Sequence, residues 1–457
     1  MQFAGATTIT SLGGEFYDPV RPADFPQASI RFRNDRAAAT IGLDGLTDAQ
    51  WVAHFARFQP LPGSLSEPLA LRYHGHQFRS YNPDIGDGRG FLFAQCHDDQ
   101  GRLLDMGTKG SGTTPYSRFG DGRLTLKGAV REILATEMLE ALGVNTSRTL
   151  SVIETGEALQ RNDEPSPTRS AVLVRLSHSH IRYGTFQRLA FFKQAAEMER
   201  LLDYVLAHLA PGASGVSPAA AVLDHAVQGA ARLAASYMAA GFVHGVLNTD
   251  NINITGESFD YGPWRFVPAW DTGFTAAYFD HNGLYSFGRQ AEALQWNLYQ
   301  LAGALRLLAP LDDLRGPLEA YPQRYRSALL AAVLGRLGVN SQGSDADVAL
   351  VQAIEQALAK SGLNPDRFFF DWRGGQRRAA SPADDIYDGA DFADVRALVG
   401  NHEGTAPAHD YWADAAPCTM LIDEVEALWA AIAEADDWAP LQAKIAAIRR
   451  MGAAHRG

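Results

Sequence analysis

Three groups of residues carry chemistry by their type and spacing. The first begins at Gly86-Asp87-Gly88-Arg89-Gly90, which runs into the apolar stretch Phe91-Leu92-Phe93-Ala94. Closely spaced glycines let backbone amides approach a phosphate, although the same run also suits a plain hairpin turn. Lys109 follows Gly90 by nineteen residues, and Glu132 follows Lys109 by twenty-three, inside a helical pattern. Taken singly, each is an ordinary surface charge. In this order they form a nucleotide clamp, in which the lysine neutralises phosphate charge and the glutamate holds the lysine.

The second group is His244-Gly245-Val246-Leu247-Asn248-Thr249-Asp250-Asn251. Kinase-type phosphotransferase loops place a catalytic Asp two residues after the His and a metal-binding Asn seven after it. Asn251 stands in the expected place, but Val246 occupies the position of the base, and an Asp occurs instead at 250. Two later acids, Asp260 and Asp271, could complete a magnesium site with Asn251, since that ion takes a few hard oxygens and keeps phosphate and water as further ligands. Their local pattern does not separate them. The third group is Arg175 and Arg182, seven apart, whose guanidinium forks match phosphate or carboxylate oxygens and equally suit surface ion pairs. The pairs His74/His76 and His178/His180 have no cysteines nearby, and packing roles are expected for them rather than zinc.

The elements that must position these residues are legible in outline. Residues 1–75 read as a Pro-interrupted leader with one short helix near 48–57. Strands are expected at 91–94, 103–106, 150–154 and 171–176, with a polar turn near 162–167. Val130, Ile133, Leu134, Met138 and Leu142 predict a helix over 126–142, stopped by Gly143. Long helices are expected at 187–209 and 219–240, the latter ended by Gly241, with more from Arg289 onward. Strands first and helices second predict an α+β protein of two lobes, and the order of glycine loop, Lys109 and Glu132 makes its core kinase-like. Its expected parts are an N-terminal extension (1–75), an N-lobe (76–185), a C-lobe (186–310) and a C-terminal helical region (311–457).

Bulk composition excludes several classes. The net charge of -12 disfavours broad binding to nucleic acid or anionic membranes. Two cysteines far apart, Cys96 and Cys418, rule out a disulfide framework or a cysteine-rich zinc site. The first residues lack a basic and apolar leader pattern, and no apolar run approaches the roughly 20 residues that span a bilayer. A soluble cytoplasmic protein is expected.

Together these segments resemble the selenoprotein O family of kinase-like protein adenylyltransferases. The resemblance rests on Tyr73-His74-Gly75-His76-Gln77-Phe78, Tyr81-Asn82-Pro83, the glycine loop 86–90 and Lys109-Gly110-Ser111-Gly112-Thr113-Thr114-Pro115-Tyr116-Ser117-Arg118. Gly120-Asp121-Gly122-Arg123, Val130-Arg131-Glu132, the stretch from Arg175 to Arg182, the loop 244–251 and Asp260-Tyr261-Gly262-Pro263 continue it. It implies that ATP sits reversed relative to ordinary kinases, so that AMP passes to a Ser, Thr or Tyr hydroxyl of a protein, the enzyme itself included, and pyrophosphate leaves. On that resemblance Gly86, Gly88, Arg89, Lys109, Asp121, Gly122, Arg175, Arg182 and Asp260 would bind ATP, and Glu132 would orient Lys109. Asn251 and Asp260 would hold magnesium, with manganese as the alternative, and Asp250 would accept the proton. Beyond about Val339 no family string is legible. The helical spacing of Leu421, Ile422, Val425, Leu428, Trp429 and Ile432 reads as a packing element, and no thiol switch is expected. Two other readings compete: transfer of the γ-phosphate, with Asp250 as a displaced base, and a nucleotide-binding scaffold without turnover.

Overall fold

The computed structural model describes residues 2–162, 164–405 and 407–456. Its centre is a nine-stranded antiparallel sheet. The strands, with one separate hairpin, are β1 (Ala4–Ala6), β2 (Tyr17–Pro19), β3 (Ser29–Arg33), β4 (Leu69–Leu71), β5 (Gly75–Gln77), β6 (Ser80–Asn82), β7 (Leu92–His97), β8 (Leu103–Lys109), β9 (Leu124–Thr125), β10 (Arg148–Leu159) and β11 (Thr168–Ser177). The sheet runs β2-β4-β7-β8-β11-β10-β3, with β1 joined to β7 and β9 to β11, while β5 and β6 form the separate hairpin.

Alternation along the strands sorts side chains to two faces. Phe91 and Phe93 enter one core and Leu92 the other; Val172 and Val174 likewise oppose Ala171 and Leu173. The first core is closed by helices α1 (Asp35–Ala39) and α2 (Asp48–Phe55) through Ala37, Trp51 and Phe55. The second is closed by α3 (Leu126–Ala141), whose Val130, Ile133, Leu134 and Met138 are fully buried. The Thr125 side chain caps this helix by accepting the Gly128 amide, satisfying one of its unpaired N-terminal donors.

Helices follow: α4 (Tyr183–Phe191), α5 (Ala195–Tyr204) and α6 (Pro218–Ala240), then α7 (Gln290–Leu305), α8 (Leu311–Leu337) and α9 (Ser344–Ser361). The last group is α10 (Pro365–Asp371), α11 (Asp384–Asp388), α12 (Ala393–Val399), α13 (Ile422–Ala435) and α14 (Ala439–Arg456). Between α6 and α7 the two-residue strands β12 (Phe242–Val243) and β13 (Arg265–Phe266) pair antiparallel and bracket the loop 244–264. No helix among the described residues is long and apolar enough to cross a membrane.

Two expectations need correction. The leader supplies β1–β4 in addition to the expected helix, because strands of three to five residues are too short for alternation to register. The single helix expected at 187–209 is broken: α4 ends at Phe191, Lys193 takes a left-handed φ of 58°, and α5 begins at Ala195. By contrast α6 ends at Gly241, whose φ of 67° is the left-handed cap that glycine adopts freely. The tail packs back on α3: Arg449 of α14 pairs with Glu137 at 2.6 Å, and Gly452 sits against Ala141.

Gly90 marks where two backbones meet most closely beside the glycine loop. A Cβ there would lie 1.9 Å from the Thr108 carbonyl oxygen. Gly90→Ala is therefore expected to cost about 3 kcal/mol in urea unfolding. Gly303→Ala, at an exposed site in α7 with open space around it, is expected to gain about 0.5–1 kcal/mol.

Candidate active site

A cleft of about 860 Å³ opens beside the sheet. It is lined by the glycine loop from Gly86 to Gly90, by Lys109 at the end of β8, and by the turn from Tyr116 to Arg123. Arg175 and Arg182 reach it from β11 and the start of α4, and Val246, Asn248, Asp250, Asn251 and Asp260 from the loop between β12 and β13.

Its deep end is an ion cluster. Lys109 Nζ lies 2.5 Å from Glu132 Oε2 and 3.3 Å from Asp260 Oδ1. Arg175 Nη1 lies 2.5 Å from Asp260 Oδ1 and 3.5 Å from Glu132 Oε1, and Arg182 Nη1 pairs with Asp260 Oδ2. Burial alone would raise the Asp260 carboxyl, but Arg175, Arg182 and Lys109 together outweigh it and hold the acid well below its usual range. Burial pulls the Lys109 ammonium down, opposed by Glu132 and Asp260. Asp260 also holds a φ of 62°, which a non-glycine residue keeps only where its surroundings over-determine it.

Aromatic rings and further polar groups fix the arginines. The Arg182 guanidinium sits 4.4 Å from the Tyr73 ring centre and 4.7 Å from that of Phe259, and the Arg175 guanidinium 5.1 Å from the Phe259 ring. Arg182 Nη2 reaches Asp87 Oδ1 at 3.3 Å, while Asp87 Oδ2 accepts the Leu71 amide at 3.0 Å. Arg175 Nε donates to His180 Nε2 at 3.1 Å, and burial lowers the pKa of that imidazole, consistent with an accepting neutral ring.

Asp250 stands apart from the cluster. Its side chain is nearly enclosed, and Oδ1 has no hydrogen-bond partner while Oδ2 lies 3.4 Å from Gln77 Nε2. Burial pushes its carboxyl up to about 6. The β5–β6 hairpin holds this loop from outside. The His76 amide donates to Thr249 Oγ1 at 2.7 Å, the Phe78 amide donates to Asn248 Oδ1 at 3.0 Å, and a Cβ on Gly75 would fall 2.8 Å from Asp250 Oδ1. Asn251 Nδ2 donates to the Val246 carbonyl at 3.0 Å, so that Oδ1 is the side-chain atom with which it could hold a metal ion.

A model of the family Protein adenylyltransferase SelO matches residues 1–449. The chain belongs to this family. It is 44% identical over 458 residues to the protein named Protein nucleotidyltransferase YdiU in Synechocystis, covering 94% of this chain and 95% of that one. The protein of the same name in Gloeobacter violaceus is 44% identical over 469 residues (97% and 94% covered), and that in Vibrio cholerae 37% over 361 (79% and 73%). The family match runs far past Val339, where family strings cease to be legible by eye.

Within this SelO-family chain the cleft gathers Gly86, Gly88, Arg89, Lys109, Asp121, Gly122, Arg175, Arg182, Asp250, Asn251 and Asp260. Glu132 lies behind Lys109, buried in α3. Asp121 is at the outer rim, where Arg161 grips its carboxylate at 2.9 and 3.1 Å and the Arg123 amide donates to it. Asp271 is exposed, outside the cleft lining, and accepts the Gly273 amide of its own turn at 2.8 Å. Among the paired histidines, His74 Nδ1 contacts the Tyr81 hydroxyl and His76 Nδ1 the Gln187 amide, whereas His180 lines the cleft and accepts from Arg175. Sequence reasoning assigned no site role to Asp87, Gln77, Tyr73 or Phe259, although each stands in or beside a string it singled out.

Glu132 neutralises two buried cations, so Glu132→Gln leaves both short of a charge partner. The variant is expected to lose about 3 kcal/mol in chemical denaturation and to weaken Mg-ATP binding roughly tenfold or more by calorimetry. Beneath the cluster, Glu257 accepts the His178 amide at 3.0 and 3.1 Å, and burial raises its carboxyl from 4.5 to about 7. Between those values the folded state binds the extra proton, so this group's contribution to stability is full below 4.5 and is lost as pH rises through 7. Relative to wild type, Glu257→Gln is expected to gain stability from about pH 5 to about pH 8, by at most about 3 kcal/mol in urea titrations.

Proposed function

We propose that this chain transfers AMP from ATP to Ser, Thr or Tyr hydroxyls of proteins, itself included, and releases pyrophosphate. The observation that carries the reading is the separation of two carboxylates within one cleft. Asp260 lies half-buried among three cations and stays ionised, while Asp250 is buried without a cation at its free oxygen, and burial pushes it up to about 6. A carboxyl poised near neutrality suits a proton acceptor. Val246 stands where an ordinary phosphotransferase keeps its base, which favours a different approach of the hydroxyl.

In this reading the triphosphate enters with its β- and γ-phosphates towards Arg175, Arg182 and Lys109, and Gly86, Gly88 and Arg89 approach it from the glycine loop. Asp121 and Gly122 close the outer part of the pocket. Glu132 keeps Lys109 extended. Asp250 Oδ1 receives the acceptor's proton as its oxygen bonds to the α-phosphorus and the bond to the bridging oxygen of pyrophosphate breaks. The chain's task is thus alignment and charge compensation, which dominate phosphoryl chemistry. The hard oxygens of Asn251 and Asp260 fit magnesium, with manganese as the alternative. Such an ion, when bound, supplies further charge neutralisation to the phosphates. No nucleic acid or membrane enters this function.

The sheet with α3 and the helices from α4 onward support a kinase-like pair of lobes meeting at the cleft. The proposed parts are 1–75, 76–185, 186–310 and 311–457. Two free cysteines, one buried, fit a reducing cytoplasm. The decisive measurement uses ATP labelled at different phosphates. Label is expected on protein from α-labelled and not from γ-labelled ATP, with a mass gain of AMP. Asp250→Ala is expected to keep Mg-ATP affinity and to slow transfer at least about a hundredfold. Label from the γ position alone would establish phosphotransfer, and intact ATP binding with no label from either would establish a scaffold.

A further inference from the structure

Gly107 stands in the interior of β8, where a glycine weakens a strand and marks the close approach of another group. Its register partner on β11 is Arg175, and Asp105 and Lys109, two residues to either side, share its face of the sheet. The space that a side chain at 107 would fill is taken by the His180 imidazole: a Cβ on Gly107 would fall 2.2 Å from His180 Nε2. The chain reaches back to this place through Ser179, whose left-handed φ of 84° is uncommon for a residue with a Cβ and turns the backbone soon after β11 ends. Asn253 holds the turn, its Nδ2 donating to the Ser179 carbonyl at 2.6 Å.

The imidazole is fixed from both ends. Asp105 Oδ2 accepts the His180 amide at 2.8 Å and lies 3.5 Å from Nδ1, while Asp105 Oδ1 accepts from Gln95 Nε2 at 2.7 Å. Gln95 is locked in turn, its Oε1 accepting the Ile9 amide at 2.7 Å. The side chains of Gln95, Asp105 and His180 are all buried. At the other end Nε2 faces Arg175 Nε at 3.1 Å. A guanidinium has only donors, so Nε2 is the accepting nitrogen and the ring's proton is on Nδ1, towards Asp105.

This contact decides which way Arg175 points. Its Nη1 is taken up by Asp260 and Glu132 and its Nε by His180, while Nη2 has no protein partner among the described residues. Two anchored nitrogens fix the plane of the fork and leave the third for a ligand in the cleft that Arg175 lines. With Nε released, the guanidinium is free to rotate about its bond to Asp260 and to turn Nη2 onto that carboxylate. We propose that His180 is a positioning residue, which holds Arg175 with Nη2 presented to the β- and γ-phosphates of ATP. The proposal rests on the AMP-transfer reading above, which puts ATP in the cleft in that orientation.

The test uses the full chain and calorimetry with Mg-ATP and with AMP. His180→Phe keeps an aromatic ring and removes the acceptor; it is expected to raise the Mg-ATP Kd about tenfold with AMP affinity unchanged. His180→Gln offers an amide oxygen at the place of Nε2 and is expected to stay within about threefold of wild type. In the Arg175→Ala background His180→Phe is expected to change nothing further. Equal losses for ATP and AMP, a His180→Gln variant as impaired as His180→Phe, or an undiminished loss on top of Arg175→Ala would overturn the proposal. Should His180→Phe not fold, His180→Asn replaces it: its amide is too short to reach Arg175, and a wild-type Mg-ATP Kd would count against the proposal in the same way. Mg-ATP binding that depends on His180 as expected, with no label passed on from α-labelled ATP, would keep the positioning role and overturn AMP transfer. Transfer of α-label with Mg-ATP affinity untouched by His180→Phe would overturn the positioning role alone.

Discussion

Lys109, Arg175 and Arg182 are three buried cations that converge on one half-buried carboxylate, Asp260, with Glu132 behind them. Each ion taken from water costs several kcal/mol, recovered only where partners of opposite charge are held at short range. The cluster is satisfied only if its members arrive together: Lys109 from the end of β8, Glu132 from α3, Arg175 from β11, Arg182 from the start of α4, and Asp260 from the loop before β13. Sheet register and helix placement are thereby fixed to one another. Displacing α3 would separate Glu132 from Lys109 and from Arg175 at once, which gives the pairing of Arg449 with Glu137 on the same helix a consequence for the cleft. The tail braces a helix whose other face carries a charge the cleft depends on.

How far this was legible in sequence depends on how local the signal is. The helix at 126–142 and the helix ending at Gly241 could be read from spacing and a glycine stop, because both signals are contained in the element. The broken α4–α5 pair could not, since the apolar pattern continues across Lys193 and only the backbone turn at that residue separates the helices. Strands β1–β4 were invisible for another reason. Three to five residues carry too few alternations, and their partners lie as far as 125 residues away in sequence, as Ser29 from Glu154.

The same division holds in the cleft. Lys109 and Glu132 stand out through their order after the glycine loop, and Asn251 through its distance from His244. The convergence of Arg175 and Arg182 on Asp260 cannot be read in this way, since as spacing alone two arginines seven apart are a surface pair. Asp260 and Asp271 illustrate the limit: both follow apolar residues and both precede a glycine closely. Only the fold turns one carboxylate into the cluster and leaves the other exposed on its own turn. Tyr73 and Phe259 received no site role because a ring that supports a guanidinium has the same sequence signature as a ring that fills a core.

Burial acts in opposite directions on the two acids of the cleft, and the difference lies in what burial brings with it. Around Asp260 it brings three cations, whose attraction exceeds the desolvation that opposes it, so the group remains a fixed negative charge. Around Asp250 it brings Gly75, the Gln77 amide and the attraction of Arg182, which is too weak to offset desolvation, and the acid rises to about 6. Arg182 itself joins the two sites, since one guanidinium nitrogen pairs with the Asp260 carboxylate and also donates to the Asp250 backbone carbonyl at 2.8 Å. It thus fixes the Asp250 main chain while the Asp250 side chain keeps an unpartnered oxygen. Paired environments that drive two carboxyls apart are how one cleft holds both a charge anchor and a proton acceptor at the same pH. Arg182, held between two aromatic rings, touches both sites, while Arg175 and Lys109 share with it the attraction that keeps Asp260 ionised.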